Sequence, residues 1–161
     1  TGIGGGVVVN GRPLHGRLHP ELGHIHVRRH PDDPESFLGV CPFHGDCLEG
    51  MASGPALEQR WGTRPEILPA DHPAWDIQAH YLAQALVACI YILAPERIVL
   101  GGGVMRGPGL PAKVREGVRT LLKGYLRSEA VGEEGDEYIV APALGEQAGV
   151  LGAVALAEGL K

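Results

Sequence analysis

The second half of the chain alternates helix-forming and strand-forming segments, and this alternation restricts the fold class. One apolar helical face recurs at steps of three and four residues, and it comprises Trp75, Ala79, Leu82, Leu86, Ile90 and Leu93. Pro95 ends this helix, and a short apolar strand over 97–100 follows. The predicted order then continues with a helix over 111–126, a strand over 138–141 and a helix over 148–158. Strands that alternate with helices favour an α/β layered domain.

The first half of the chain is richer in turns. Asn10-Gly11 lies between apolar segments and predicts a β-hairpin, because both residues tolerate positive φ. A long segment over 28–47 has no periodicity, and a loop of this length in a compact domain requires something that orders it. The other elements predicted here are strands over 7–9, 12–16 and 24–27, a helix over 48–61, and a helix that starts near Asp71.

The turn CPFHGDC indicates a metal site within that loop. Cys41, His44 and Cys47 are potential zinc ligands, with two residues between neighbours. A structural zinc site needs a fourth donor, and His24 and His30 are the upstream candidates. The alternative is a surface loop in which two cysteines coincide by chance. With four protein ligands the zinc would be structural, because no position remains open to activate water.

Composition and charge exclude some classes of function. The 14 basic and 19 acidic residues give a net charge of −5, which argues against a nucleic-acid surface. The apolar stretch over 83–94 is shorter than the ~20 residues that span a bilayer, and from the residues at its start we expect no signal peptide. We therefore expect a cytoplasmic protein with no nucleic-acid or membrane partner. Cys89, in an apolar helix, is expected to be an inert core residue.

Two glycine-rich turns and two glutamates are weaker signals. TGIGGG over 1–6 and LGGGVM over 100–105 could let a backbone approach phosphate, although a simple tight turn is an equal alternative. Neither turn matches the Walker or the dinucleotide pattern. Glu21 precedes His24 by three residues and Glu49 follows Cys47 by two, so a metal that joins His24 to Cys47 would bring both carboxylates together. Such a pair suits vicinal hydroxyls. The alternative is that each glutamate is solvated, or that Glu49 places its charge at a helix N-terminus.

Together these motifs resemble the ROK sugar kinases, specifically the bacterial fructokinase branch. The resemblance is carried, in the family's order, by TGIGGGVVVNGRPLHG, HPELGHI, CPFHGDCLEGMASGPALEQRWG, ILAPERIVLGGGVM and YIVAPALGEQAGVLGAVALA. It implies the carboxy-terminal lobe of an actin-like ATPase fold, which is ribonuclease H-like, over 1–161, with an inserted zinc loop over 24–47. It also implies transfer of phosphate from ATP, with Mg²⁺, to a hexose, and D-fructose at its 6-hydroxyl is the expected substrate.

The resemblance also assigns roles to residues. Sugar hydroxyls would be held by Glu21, His24 and Glu49. Zinc would be held by His24, Cys41, His44 and Cys47. The nucleotide would be lined by Thr1, Gly2, Gly4, Pro55, Gly101, Gly102, Gly103, Val104 and Met105. The family's members are typically homodimers, so a homodimer is expected.

One departure from the family concerns catalysis. The family's catalytic aspartate lies upstream of the TGIGGG turn, and its amino-terminal phosphate loop lies further upstream, so the resemblance covers the second half of such a kinase. We therefore expect no catalytic residue in this chain, an origin partway through a longer protein, and no activity from the 161 residues alone. Alternative readings are the sugar lobe of a ROK transcriptional repressor, a zinc-stabilised interaction module, and a glucokinase or mannokinase of the same family.

Overall fold

The computed structural model describes residues 2–126 and 137–159. Over these ranges the α-helices are α1 (Leu48–Ala52), α2 (Gly54–Trp61), α3 (Ala74–Leu93), α4 (Leu110–Leu122) and α5 (Ala148–Gly159). The strands are β1 (Val8–Val9), β2 (Arg12–Pro13), β3 (Ile98–Val99) and β4 (Ile139–Val140). Short 3₁₀ helices span Leu22–His24, Pro65–Ile67, Gly103–Arg106 and Gly145–Gln147.

The strands form two small sheets of opposite type. β1 and β2 pair antiparallel, with Val8 opposite Pro13, and the turn residues Asn10 and Gly11 have φ of 51° and 73°. This is the hairpin that the Asn-Gly signal predicts. β3 and β4 pair parallel, with Ile98 opposite Ile139. Parallel neighbours need a crossover connection, which here contains α4, so the α/β class is confirmed.

The core lies between α3 and α4. Trp75, Tyr81 and Ile77 of α3 are at most 1% exposed. Val114 and Val118 of α4 are equally buried and belong to the same apolar cluster. The two helices approach closely, since a Cβ on Gly117 would lie 2.9 Å from that of Ala83. Leu93 is half-buried, and the other five residues of the predicted apolar face are buried. Ile77 and Tyr81 lie off that face and are buried as well, so the core covers more of α3 than predicted.

Helix α3 corrects the expectation that no apolar segment is long enough to cross a membrane. With 20 residues and a mean hydropathy of 1.2, it is long and apolar enough to cross a membrane, by length and composition alone. Half of the stretch is buried inside the protein. A buried core helix passes the same test, and Trp75 and Tyr81 of α3 are at most 1% exposed.

The predicted helix over 48–61 is two helices. Ser53 has an extended backbone, with φ of −72° and ψ of 164°. Its N–H donates to the Glu49 carbonyl at the end of α1, and its Oγ accepts from the Ala56 N–H at the start of α2. Pro55 then occupies the first turn of α2, where it costs no hydrogen bond. Ser53 thus ends α1 and caps α2. Glu49 lies on α1, separate from the longer helix that follows.

Other boundaries are shorter than predicted. The proposed strand over 24–27 is wrong, because a 3₁₀ helix ends at His24 and only an isolated bridge joins His26 to Cys47. The return strand of the hairpin and the strand over 138–141 each shrink to two residues. Helix α3 begins at Ala74, and α4 ends at Leu122 because Lys123 takes a φ of 49°. The predicted end of that helix at 126 is therefore too late.

Candidate functional site

Four side chains of the loop over 24–47 converge at one point. The Nδ1 atom of His24 lies 3.8 Å from the Cys41 sulfur and 3.6 Å from the Cys47 sulfur, and the Nδ1 atom of His44 lies 3.7 Å from the Cys41 sulfur. All four ligand atoms fall within 4.8 Å of one another. Tetrahedral zinc with ordinary bond lengths separates sulfur from nitrogen by about 3.6 Å. The donor set and its spacing therefore fit a zinc ion.

The other upstream candidate, His30, takes no part in this cluster. The His30 Nδ1 accepts a hydrogen bond from the backbone N–H of Asp32 at 3.1 Å, and the backbone N–H of His30 donates to the Tyr81 hydroxyl. Within the described ranges, His24 is the histidine that joins Cys41 and Cys47. The geometry therefore favours His24 over His30 as the fourth candidate ligand.

The two cysteines differ in acidity. The pKa of the Cys41 thiol is lowered to about 7, chiefly because the backbone N–H of His44 hydrogen-bonds to its sulfur. Burial raises the pKa of the Cys47 thiol. A bound cation would reverse the second effect, because it stabilises the thiolate that ligates it.

A tight turn aims these ligands. The backbones of Cys41 and Gly45 exchange two hydrogen bonds, which closes the CPFHGDC turn. Gly50 of α1 packs against this turn so closely that a Cβ there would lie 1.8 Å from the Gly45 carbonyl oxygen. Cys47 itself is the residue that precedes α1. The metal cluster and the helix that carries Glu49 are therefore one packed unit.

The loop over 28–40 has a second anchor that does not involve the cluster. Asp33 and Arg60 form an ion pair at 2.8 Å, with both side chains 0% exposed. The Tyr81 hydroxyl donates to the other oxygen of Asp33, and the Arg60 guanidinium lies 4.1 Å from the centre of the Phe37 ring. Sequence reasoning missed this network, because residues 27 positions apart in a chain give no local signal. The candidate metal site is therefore not the only feature that can order this loop.

Helix α3 fixes the start of the same loop. The Gln84 amide accepts from the Arg28 N–H at 2.8 Å and donates to the Arg28 carbonyl at 3.0 Å. His80 also contacts that carbonyl through Nε2, at 3.1 Å. Burial lowers the pKa of His80, which favours its neutral form. These bonds satisfy the loop backbone where no sheet is present.

The two candidate sugar ligands lie on neighbouring elements. Glu49 is half-buried on α1, and its Oε2 accepts from the Ile3 N–H at 2.9 Å. Glu21 is exposed at the start of the 3₁₀ helix over Leu22–His24, which packs against α1. This 3₁₀ helix also contacts the TGIGGG turn, since a Cβ on Gly23 would lie 1.9 Å from the Ile3 carbonyl oxygen. Three predicted motifs thus meet around α1.

Part of the predicted nucleotide set lines a cleft of about 670 Å³ between β3 and the segment that leads into α5. Its lining includes Gly101, Gly102, Gly103 and Met105. Gly102 has a φ of 103°, a conformation that favours glycine. A larger cleft of about 720 Å³ is lined by Tyr91, Tyr125 and apolar side chains, and it contains none of the predicted residues.

The remaining predicted nucleotide residues lie outside that lining. Val104 is half-buried, and its side chain lies 3.8 Å from the position of a Cβ on Gly54, next to Pro55. Gly2 packs against Glu49, where a Cβ would lie 1.9 Å from Oε2. Gly4 is exposed, and Thr1 lies outside the described residues.

Sequence reasoning missed the charged residues of the cleft. Arg106 and Glu146 line it from opposite sides and form an ion pair at 2.8 Å. Arg115 also lines it, and its Nε donates to the Ile139 carbonyl at 2.9 Å. Arg106 directly follows the LGGGVM turn, so the sequence alone could have indicated that it lies beside the same cleft as the glycines. Arg115 and Glu146 required knowledge of how β3 and β4 pair.

Comparison with known proteins identifies the class. Residues 1–159 match the ROK family, and the chain belongs to that family. It is 47% identical over 159 residues to a fructokinase of Zymomonas mobilis, which covers 98% of this chain and 51% of that protein. It is 44% identical over 160 residues to a fructokinase of Streptococcus mutans, which covers 98% of this chain and 53% of that protein.

Solved structures support the same fold. The chain is similar to a ROK hexokinase of Thermus thermophilus, with 30% identity and a TM-score of 0.72 over 95% of this chain and 52% of the other. An α/β actin-like kinase fold is therefore supported. A glucokinase of Thermotoga maritima is more distant than the fructokinases, at 33% identity. The chain spans about half the length of the curated relatives that it matches.

Proposed function

We propose that the protein containing this chain is an ATP-dependent hexose kinase that converts D-fructose and ATP to D-fructose 6-phosphate and ADP. The observation that carries the proposal is the identity of 44 and 47% to fructokinases over 98% of the chain. The packing of HPELGHI, the CPFHGDC turn and TGIGGG around α1 supports it, because it places Glu49 and Glu21 on neighbouring elements.

In this proposal the chain forms the carboxy-terminal lobe, which supplies a sugar subsite and a nucleotide subsite. Glu21 and Glu49 accept hydrogen bonds from sugar hydroxyls, and His24 contributes beside them. The glycines over 101–103 line the nucleotide, and Mg²⁺ on its phosphates supplies the charge neutralisation that phosphoryl transfer requires. Thr1, Gly2, Gly4, Pro55, Val104 and Met105 complete the proposed nucleotide set.

Zinc has a structural part in the proposal. Its ligands are His24, Cys41, His44 and Cys47, whose spacing fits the ion. Four protein ligands close the coordination shell, so the ion orders the loop over 24–47 and leaves water activation to other groups. His24 then links the metal to the sugar subsite through one ring.

The biological setting follows from the family. We propose that the full protein works in the cytoplasm as a homodimer with hexose and ATP as its partners. Gel filtration of the full-length protein with light scattering measures the oligomeric state, and a monomer at micromolar concentration contradicts this part of the proposal.

A substrate panel tests the proposed activity. Full-length protein is assayed with Mg-ATP and fructose, glucose or mannose in turn, with ADP release as the readout. The expected result is phosphorylation of fructose with kcat in the ordinary kinase range of ~1–100 s⁻¹ and lower kcat/KM for the other sugars. Preference for glucose or mannose reassigns the hexose, whereas no turnover with any sugar refutes the kinase proposal.

A further inference from the structure

The short helix α1 carries Glu49 and is held by side chains from outside it. The last carbonyl groups of any helix lack intrahelical partners. In α1, the Met51 carbonyl accepts from Nη2 of Arg60 at 2.7 Å, and the Ala52 carbonyl accepts from Nε2 of Gln78 at 2.6 Å. A helix of five residues has little stability of its own, so these two donors fix where it ends.

The two donors are themselves rigid. Arg60 is paired with Asp33 and stacked over Phe37, and its side chain is 0% exposed. Gln78 lies on the core helix α3 and is also 0% exposed. Because neither side chain can move without breaking packed contacts, both hold α1 at a fixed position relative to the core.

The other end of α1 is fixed by the metal cluster. Cys47 precedes the helix and belongs to the cluster, and Glu49 follows two residues later. The Oε2 atom of Glu49 also accepts from the Ile3 N–H. The carboxylate therefore lies between a metal ligand at one end of the helix and the Arg60 and Gln78 donors at the other.

We infer that Arg60 and Gln78 are positioning residues that aim the Glu49 carboxylate at the hexose. This inference rests on the proposed function, in which Glu49 accepts a hydrogen bond from a sugar hydroxyl. Arg60 and Gln78 act through the backbone of α1 and do not touch the sugar. Their role is to hold the carboxylate at a fixed distance from the turn over 1–6.

Two conservative variants of the full-length protein test the inference. Arg60→Lys keeps the charge beside Asp33 but removes the planar fork that reaches Met51. Gln78→Met keeps the side-chain length but removes the donor to Ala52. Each variant is expected to raise the KM for fructose by roughly threefold to tenfold, the equivalent of one hydrogen bond, while the KM for ATP and the zinc content stay unchanged.

Arg64→Met is the matched control. Arg64 is an arginine of the same region, but its side chain is 72% exposed and pairs with Glu66 at the surface at 3.4 Å. Its removal is expected to leave both KM values unchanged. A general loss of folding in the test variants would instead reduce the active fraction, which lowers the apparent kcat and leaves both KM values unchanged, and circular dichroism of each variant measures it directly.

Each outcome has a separate meaning. If the wild-type protein phosphorylates fructose and Glu49→Gln raises its KM, but Arg60→Lys and Gln78→Met match Arg64→Met, the positioning role is refuted and the proposed function stands. If the wild-type protein phosphorylates no sugar, the proposed function itself fails. A parallel rise in the KM for ATP also refutes the inference, because it shows a general distortion of the lobe.

Discussion

The metal turn and the Asp33–Arg60 network order the same stretch of chain by different means. The turn gathers four ligands contributed by residues 24–47. The network joins the middle of that stretch to α2 and α3 through a buried ion pair and a tyrosine hydroxyl. In the proposed function the first anchor requires a bound ion, whereas the second requires a packed core. The comparison teaches that a long loop can be fixed at two points by different chemistry, and the loss of one anchor tests whether the other depends on it.

The largest expected effect comes from removal of a proposed metal ligand. Cys47→Ser should abolish stoichiometric zinc and lower the free energy of unfolding by about 4 kcal/mol or more, because metal binding is coupled to folding. Elemental analysis and denaturant titration measure the two quantities. Cys89→Ser is the control, since Cys89 is half-buried on α3 outside the cluster and its loss should leave zinc content intact. A metal-free protein with unchanged stability contradicts the metal assignment.

The network should break without loss of the ion. Arg60→Met leaves the Asp33 carboxylate buried and unpaired, which should lower the free energy of unfolding by about 3–5 kcal/mol. Zinc content should not change, because none of the four ligands contacts Arg60. Urea titration and metal analysis of the same preparation check both statements. Zinc loss in this variant would show that the two anchors are one cooperative unit.

A smaller effect is expected at the proposed sugar subsite. In the full-length protein, Glu21→Gln keeps the shape of the side chain and removes its charge. It should weaken hexose use by roughly tenfold to a hundredfold, following the ~1.5–3 kcal/mol of a charge-assisted hydrogen bond. Zinc content should stay the same. Unaltered sugar kinetics in this variant would return Glu21 to the solvated surface.

The smallest effect is a pH dependence of the network. Burial, together with the hydrogen bond to Asp33, raises the pKa of Tyr81 to about 12 from an ordinary value of 10.0. The folded state therefore holds this proton more tightly, and its contribution is complete below pH 10 and is lost as pH rises towards 12. The slope from one such group is at most about 1.4 kcal/mol per pH unit. Tyr81→Phe should flatten unfolding curves measured across this window, and an unchanged slope contradicts the assignment.

The sequence allowed prediction of those parts of the site that depend on side-chain chemistry or local periodicity. Cysteine and histidine are rare and chemically specific, so Cys41, His44 and Cys47 could be recognised from residue type and spacing alone. The apolar face of α3 has a helical period and also became the core. The Asn10-Gly11 hairpin depends on two adjacent residues and was equally accessible. Each of these predictions depends only on residues that lie close to one another in the sequence.

The features that were missed depend on distant partners or on competition between local signals. The Asp33–Arg60 pair is visible only when α2 packs against the loop. Ser53 could have indicated the break before α2, since a serine followed by glycine and proline favours a helix start. One helix over 48–61 was predicted instead. Arg115 and Glu146 of the cleft beside β3 required the parallel pairing of β3 with β4.

The close contacts around α1 have a consequence for mutational tolerance. A Cβ on Gly23 would strike the Ile3 carbonyl oxygen and one on Gly50 would strike the Gly45 carbonyl oxygen, at 1.9 and 1.8 Å. Both obstacles are backbone atoms, which cannot rotate away as a side chain can. A saturation library of this protein should therefore accept almost nothing at these two positions. The junction of TGIGGG, HPELGHI and the CPFHGDC turn can therefore change in evolution only if several segments change together.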